Sequence, residues 1–529
     1  MAQVPILVLK EGAERKRGKD AQKNNISAAR AVGEAVRTTL GPKGMDKMIV
    51  DSLGDITITN DGATILDTID IEHPAAKMIV EVAKTQDSKV GDGTTTSVII
   101  SGELLKLAEE LMEQQVHPTI IFRGYRKALI KSKEILEELA QKIEVTDTVS
   151  LKKVAETAMN SKLIAGAKDH FADIAVGAVS KIKEKIGKNT VIDLDQIQII
   201  KKEGKSLLDS EIINGMIVDK EIVHPMMPKM IKDAKIALIN SSLEVEKTEY
   251  DAEIKVQTPD QMNQFLEEEA NMLKKKVEKL KEVGTNVIFC QKGVDEKAQN
   301  FLAKENIMTI RRVKKSDMEK LARATQAKIF NNIFEINQND LGNAGKVEEK
   351  KVGEDNMIFV SDCATPKTVS ILIRAGIDHV VDEAERMIHD ALSVVKAAIE
   401  VPFILPGGGA SEIELAKRLK AYARTIGGRE QLAIEIYANA LEIIPKTLVE
   451  NAGHNPVDLI VELRSKHKNE TGSAYGINID TGKASDMMEL GVVDPLAVLT
   501  QAIESATEVA SMILKIDDVI AASGLSEGG

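Results

Sequence analysis

Gly91-Asp92-Gly93-Thr94-Thr95-Thr96 sets two glycines, an acid and three hydroxyls directly ahead of a helical run that continues to about Gln114. Bare backbone amides at such a turn, together with the positive end of a helix, make an anion site. An aspartate there can organise Mg²⁺, usually through its waters, and threonine hydroxyls can bind phosphate oxygens or the ion. The same residues also suit a plain Gly-Asp-Gly turn with a threonine cap, so the segment taken alone leaves both readings open. Nowhere does a glycine precede Gly-Lys-Ser/Thr by four spacers, so this is not an ordinary P-loop protein, and any phosphate loop is of another kind.

Upstream, Ile26, Ala29, Val32, Val36 and Leu40 fall at helical spacing between Asn25 and Leu40, and Gly41-Pro42 stops the pattern. A helix therefore delivers the loop Gly41-Pro42-Lys43-Gly44. Ile56 and Ile58 alternate with threonines as in a half-buried strand, and Asn60-Asp61-Gly62 turns the chain. Helices are predicted from about Pro74 to Thr85 and from about Thr94 to Gln114.

Between about Gly215 and Thr368 the character changes to short β-rich runs alternating with helical ones. Ile236 to Ile239, Val287 to Cys290, Thr309 to Ile310 and Met357 to Val360 are the strand candidates. Capping boxes at Thr258-Pro259-Asp260-Gln261 and at Ser316 to Glu319 predict two helix starts. This part reads as an α/β domain. From Val380 to Ile399 and from Ala410 onward the pattern is helical again, broken at Pro406-Gly407-Gly408-Gly409-Ala410. Helical flanks thus bracket an α/β insert, and no fixed-period repeat stands out.

The chain has 529 residues, which at roughly 150 per domain predicts three or four domains. Hydrophobic residues at 43% and charged residues at 29% match a folded, soluble protein. No run of about 18 apolar residues occurs, and Met1 to Lys10 lacks the apolar core of a signal peptide, so a cytoplasmic location without membrane contact is expected. Cys290 and Cys363 lack metal-type spacing and read as packing thiols. A net charge of -12 repels phosphate backbones, and 3% aromatics with no Trp offers few stacking platforms, which argues against nucleic acid as a partner.

Four segments in order, Thr39-Leu40-Gly41-Pro42-Lys43-Gly44-Met45-Asp46-Lys47-Met48, Asn60-Asp61-Gly62-Ala63-Thr64, Gly91 to Thr96 and Pro406 to Ala410, resemble the chaperonin signatures. The likeness covers nearly the whole chain, including His73-Pro74-Ala75-Ala76-Lys77 and Ile213-Asn214-Gly215-Met216. In its details it resembles group II, the archaeal thermosome and its eukaryotic cytosolic relatives. The resemblance implies a multidomain α and α/β fold. Residues 1–144 and 403–529 would form a mostly helical equatorial ATPase domain, and 216–368 an α/β apical, substrate-binding domain with a helical lid protrusion at about 243–271. Residues 145–215 and 369–402 would form a small intermediate hinge domain.

Roles follow position by position from the same resemblance. Asp61 and Asp92 match the aspartates beside Mg²⁺ and the attacking water. Leu40, Gly41, Pro42, Gly91, Gly93, Thr94, Thr95 and Thr96 match nucleotide-contacting positions, Lys162 a lysine that senses the terminal phosphate, and Gly408 and Asp494 positions that hold the adenosine end of ATP. Asp390, in Ile388-His389-Asp390-Ala391-Leu392, matches the aspartate that orients or activates water. Helical periodicity could not single it out, since Asp382, Glu383 and Glu385 share its helix and acids on helices usually face solvent. Arg374-Ala375-Gly376 departs from the family pattern, with alanine where a second glycine is usual near the expected hinge.

The activity so implied is ATP-dependent folding of unfolded client proteins inside two stacked rings of self-associated subunits. Paralogous subunits could join the rings, and no separate lid co-chaperonin is expected. Two other readings remain: a scaffold or holdase in which nucleotide only stabilises assembly, and a metabolic kinase with an unusual phosphate loop. The kinase reading lacks a second constellation for a small substrate.

Overall fold

The computed structural model describes residues 14–51, 54–161, 165–187, 189–244, 259–363 and 368–521. The chain forms two compact units, Met1–Val176 with Arg386–Gly529, and Gly177–Glu385. Each crossing between them runs within a helix, Lys168–Ile182 on the way out and Asp378–Glu400 on the return.

The first unit is helical. Helix Gly18–Arg37 buries Ile26, Ala29, Val32 and Val36 along one face and ends before the Gly41 turn, so the sequence periodicity marks its buried side correctly but misses its first turns. Helices Pro74–Val90, Thr94–Glu113, Pro118–Leu139, Ala410–Ile426, Gly428–Leu441 and Leu496–Leu514 share its core. Thr94–Glu113 is buried nearly all round, with Val98, Ile100, Leu104 and Leu105 fully excluded from water. That burial makes it the fixed axis of the unit, and its first turn is the threonine segment.

The second unit is built on a mixed nine-stranded sheet. Its order from one edge is Met308–Ile310, Val287–Cys290, Met230–Ile239, Gly342–Val352, Asp355–Ser361, Glu211–Val218, Val369–Ala375 and Ile197–Glu203, with Ile329–Phe330 beside Met230–Ile239. Successive side chains point to opposite faces. Ile236, Leu238, Val287 and Phe289 therefore pack beneath helix Lys315–Thr325, while Ala237, Ile239, Ile288 and Cys290 pack under helices Pro259–Glu282 and Glu296–Lys304. Burial on both faces explains why these strands read as continuous apolar runs rather than alternating ones. Both cysteines are buried free thiols, and burial pushes each up to about 11.

Two expectations are revised, and the place of Ala375 is defined. The sheet reaches beyond Gly215 and Thr368, because Ile197–Glu203, the start of Glu211–Val218 and Val369–Ala375 belong to it. Ser316 caps nothing: its helix starts at Lys315 from an N-cap Lys314 with no side-chain bond, which places the Ser-x-x-Glu pattern inside the first turn. Ala375 ends a regular, fully buried strand paired with Glu203, where an alanine is an ordinary residue. Thr258 lies outside the described residues, although its helix begins at Pro259 as predicted. Among the described residues no helix is long and apolar enough to cross a membrane.

Candidate active site

A cavity of about 620 Å³ in the helical unit gathers segments far apart in sequence. Its size suits a small-molecule site. Leu40, Gly41, Pro42, Asp61, Asp92, Gly93, Thr94, Thr95, Thr96, Asp390, Gly408 and Asp494 all line it. Of the remaining expected residues, Gly91 lies off the lining and Lys162 lies outside the described residues.

The threonine segment is an open helix start. Gly93 is the N-cap of Thr94–Glu113 at φ +77°, with no side-chain cap bond, so the first-turn amides have no intrahelical acceptor and face the cavity end. That is the donor set an anion needs. Gly62 lies against it, since a β-carbon there would stand 2.5 Å from Thr95 Oγ1. The neighbouring Asp61 is the N-cap of helix Gly62–Thr68 and accepts from Thr64 N at 2.8 Å and Thr64 Oγ1 at 2.7 Å. Its carboxylate is thus held in place by a cap while it lines the cavity.

Gly41 sits at φ +80° in a turn closed by Gly44 N to Gly41 O at 2.8 Å, and a β-carbon on it would strike Leu448. Asn451 holds the same turn by donating to the carbonyl oxygens of Arg37 at 3.1 Å and Leu40 at 2.9 Å. Across the cavity, Gly408 at φ +59° lies under Met487 and Ile477, where a side chain would meet the methionine sulfur at 2.7 Å. These glycines keep open the space beside an apolar wall of Leu448, Ile477, Met487 and Val492.

Three carboxylates shape the field. Burial, then the charges of Asp92 and Glu412, pushes Asp494 up to about 8, and burial pushes Glu412 up to about 7. The part of the Asp494 shift that comes from Asp92 and Glu412 is negative charge that a bound cation would offset. Glu412 was invisible to sequence reading, because an acid in a helix first turn is ordinary composition. Asp390 arrives from helix Asp378–Glu400 and has its carboxylate within 4.8 Å of side-chain ligand atoms of Asp87 and His389. Gly91 instead ends helix Pro74–Val90 in the left-handed region at φ +70°, pressed against Ser393 of the Asp390 helix. It packs closely there and is not among the residues lining the cavity.

The chain thus has a helical unit whose cavity is lined by glycines, threonines and acids, and a unit built on a mixed sheet. Residues 32–523 match the TCP-1/cpn60 chaperonin family, and the chain belongs to it. It is 55% identical over 523 residues to the thermosome subunit alpha of Archaeoglobus fulgidus, covering 99% of this chain and 96% of that one. It is 56% identical to a thermosome subunit of Methanopyrus kandleri over 99% of this chain and 96% of the relative. With the thermosome subunit beta of Thermococcus kodakarensis it shares 56% over 100% and 97%.

Proposed function

We propose that this chaperonin is an ATP-driven molecular chaperone of group II, enclosing unfolded proteins in a double ring whose closure is coupled to Mg-ATP hydrolysis. The observation that carries the reading is the cavity: residues from six separate segments, singled out by residue pattern and family resemblance, line one space whose glycines, amides and acids suit a nucleotide. The domain assignment is equatorial for 1–144 and 403–529, intermediate for 145–215 and 369–402, and apical for 216–368. In its support, both junctions between the compact units fall within the intermediate segments.

The chain's residues divide the work. The Thr94 to Thr96 amides and hydroxyls hold phosphate oxygens, while Gly41 and Gly408 leave room for the nucleotide beside Leu448 and Met487. Asp61 and Asp92 would hold Mg²⁺, which when bound offsets charge developing on the transferred phosphoryl group. Asp390 orients the attacking water and accepts its proton. Because Asp390 comes from the intermediate segment, hydrolysis waits on that segment, a gating role known for mobile elements.

The test is Asp390→Ala. ATP binding should persist while turnover falls by about a hundredfold or more, the usual worth of a positioned acid–base group. Parental turnover would remove Asp390 from the mechanism. Electron-microscope images with and without ATP should show two stacked rings that close.

A further inference from the structure

Gln86, in the last turn of helix Pro74–Val90, is fully excluded from water and lies behind the cavity wall. Its Nε2 donates to the Asp92 carbonyl oxygen at 2.7 Å and to the Val498 carbonyl oxygen at 3.2 Å. Its Oε1 is buried with no partner. Flipping the amide would not help, because Oε1 would then face two carbonyl oxygens, so the NH₂ group is fixed toward them. A buried orphan acceptor is uncommon and calls for a reason.

The reason lies in the Asp92–Gly93 peptide. In a trans peptide the C=O and N–H point in opposite directions, and the described chain has no cis bond. With the carbonyl held inward by Gln86, the Gly93 N–H turns away from Gln86 to the cavity side, where Gly93 forms part of the lining. It donates there to Asp92 Oδ1 at 2.5 Å, an acceptor that a phosphate oxygen would displace. Val498, on helix Leu496–Leu514, anchors the other amide hydrogen and so ties the peptide's orientation to the core.

We propose that Gln86 is a positioning residue of the nucleotide site: it locks the Asp92–Gly93 peptide so that the Gly93 N–H presents itself to a phosphate oxygen. The proposal rests on the ATP-site reading above. Its geometric half can be tested without nucleotide.

Gln86→Met keeps the shape and removes both donors. In the nucleotide-free structure of the variant the Asp92–Gly93 peptide should rotate, and KM for ATP should rise about tenfold or more with kcat changed much less, as expected when binding common to ground and transition states is lost. Gln86→Leu supplies a second variant should the first fold poorly; it too lacks both donors, so the same peptide rotation and rise in KM should appear. A folded variant with an unmoved peptide or a parental KM overturns the proposal. If the parent chain fails to bind ATP, the proposed function falls, and the peptide orientation still decides the role of Gln86.

Discussion

Gly91 and Ser393 are packed so closely that a β-carbon on the glycine would overlap the serine's own. Ser393 stands three residues beyond Asp390, on the neighbouring turn of the same helix. The turn that opens the threonine segment and the helix that carries Asp390 therefore set each other's position.

Gly91→Ala meets two penalties. At φ +70° an alanine costs about 1–2 kcal/mol, and the Ser393 overlap adds to it. Thermal stability should drop, and turnover should fall more than ATP affinity, because the Thr94 to Thr96 donors remain while Asp390 is displaced. Adding Ser393→Gly should recover the overlap but not the backbone strain. Melting temperature and turnover of the single and double variants check this, and a single variant as stable and active as the parent would refute it.

The helix cap that Asp61 makes and the metal role proposed for it can be separated by substitution. Asp61→Ala loses the cap on Thr64 and should cost about 1 kcal/mol of stability, whereas Asp61→Asn keeps an acceptor for Thr64 N and should melt close to the parent. Both lack the negative charge, so both should show weakened Mg²⁺-dependent turnover in a magnesium titration. Parental activity of the Asn variant at low Mg²⁺ would leave Asp61 as a helix cap only.

The parts legible in the sequence are those in which backbone geometry dictates residue type. Gly41, Gly93 and Gly408, read at turns, take positive φ, and Ile26, Ala29, Val32 and Val36, read at helical spacing, form a buried face. Asp390 was reachable only through family likeness, since its helix carries other acids with equal periodicity. Gln86, Glu412 and Asn451 left no signal, because their roles come from what the folded chain brings beside them. The sheet's extra strands were missed because Ile197–Glu203 is half polar at an edge, and Val369–Ala375 gains its partners only from distant residues.

Acid should loosen the helical unit through Glu414. Burial pushes this carboxyl up, but hydrogen bonds from His467, Arg418 and Lys417 outweigh it and hold the group down to about 2, against an ordinary 4.5. The folded chain therefore binds this proton more weakly than the unfolded one. The stabilisation is complete above about pH 4.5 and drains as pH falls toward 2, on the order of 2 kcal/mol in all. His467 lies 2.8 Å from Glu414 and 2.7 Å from the Tyr475 carbonyl oxygen, at the start of the strand that brings Ile477 to the cavity. Glu414→Gln should lower the melting temperature at pH 7 and flatten its dependence between pH 4.5 and 2.5. Parallel curves for variant and parent would show that the ion cluster carries no such linkage.

The proposed lid can be tested apart from the proposed chemistry. Helix Pro259–Glu282 is anchored by its second half, where Leu273, Val277 and Leu280 join the core under Val287–Cys290, while residues 267 and 268 are exposed. The expected protrusion at 243–271 falls partly outside the described residues, at 245–258. Such a helix needs only its later seam to stay folded, because helical stability in proteins comes mainly from the packed face. Replacing 246–268 with a short Gly/Ser linker should therefore leave the core under Val287–Cys290, ring assembly and ATP turnover close to those of the parent, since none of the described residues lining the cavity lies there. Encapsulation should fail. Protease protection of a captured unfolded protein in the presence of ATP measures it directly: the deletion variant should expose its client to digestion, and a variant that shields its client as fully as the parent does would mean that this segment is not the lid.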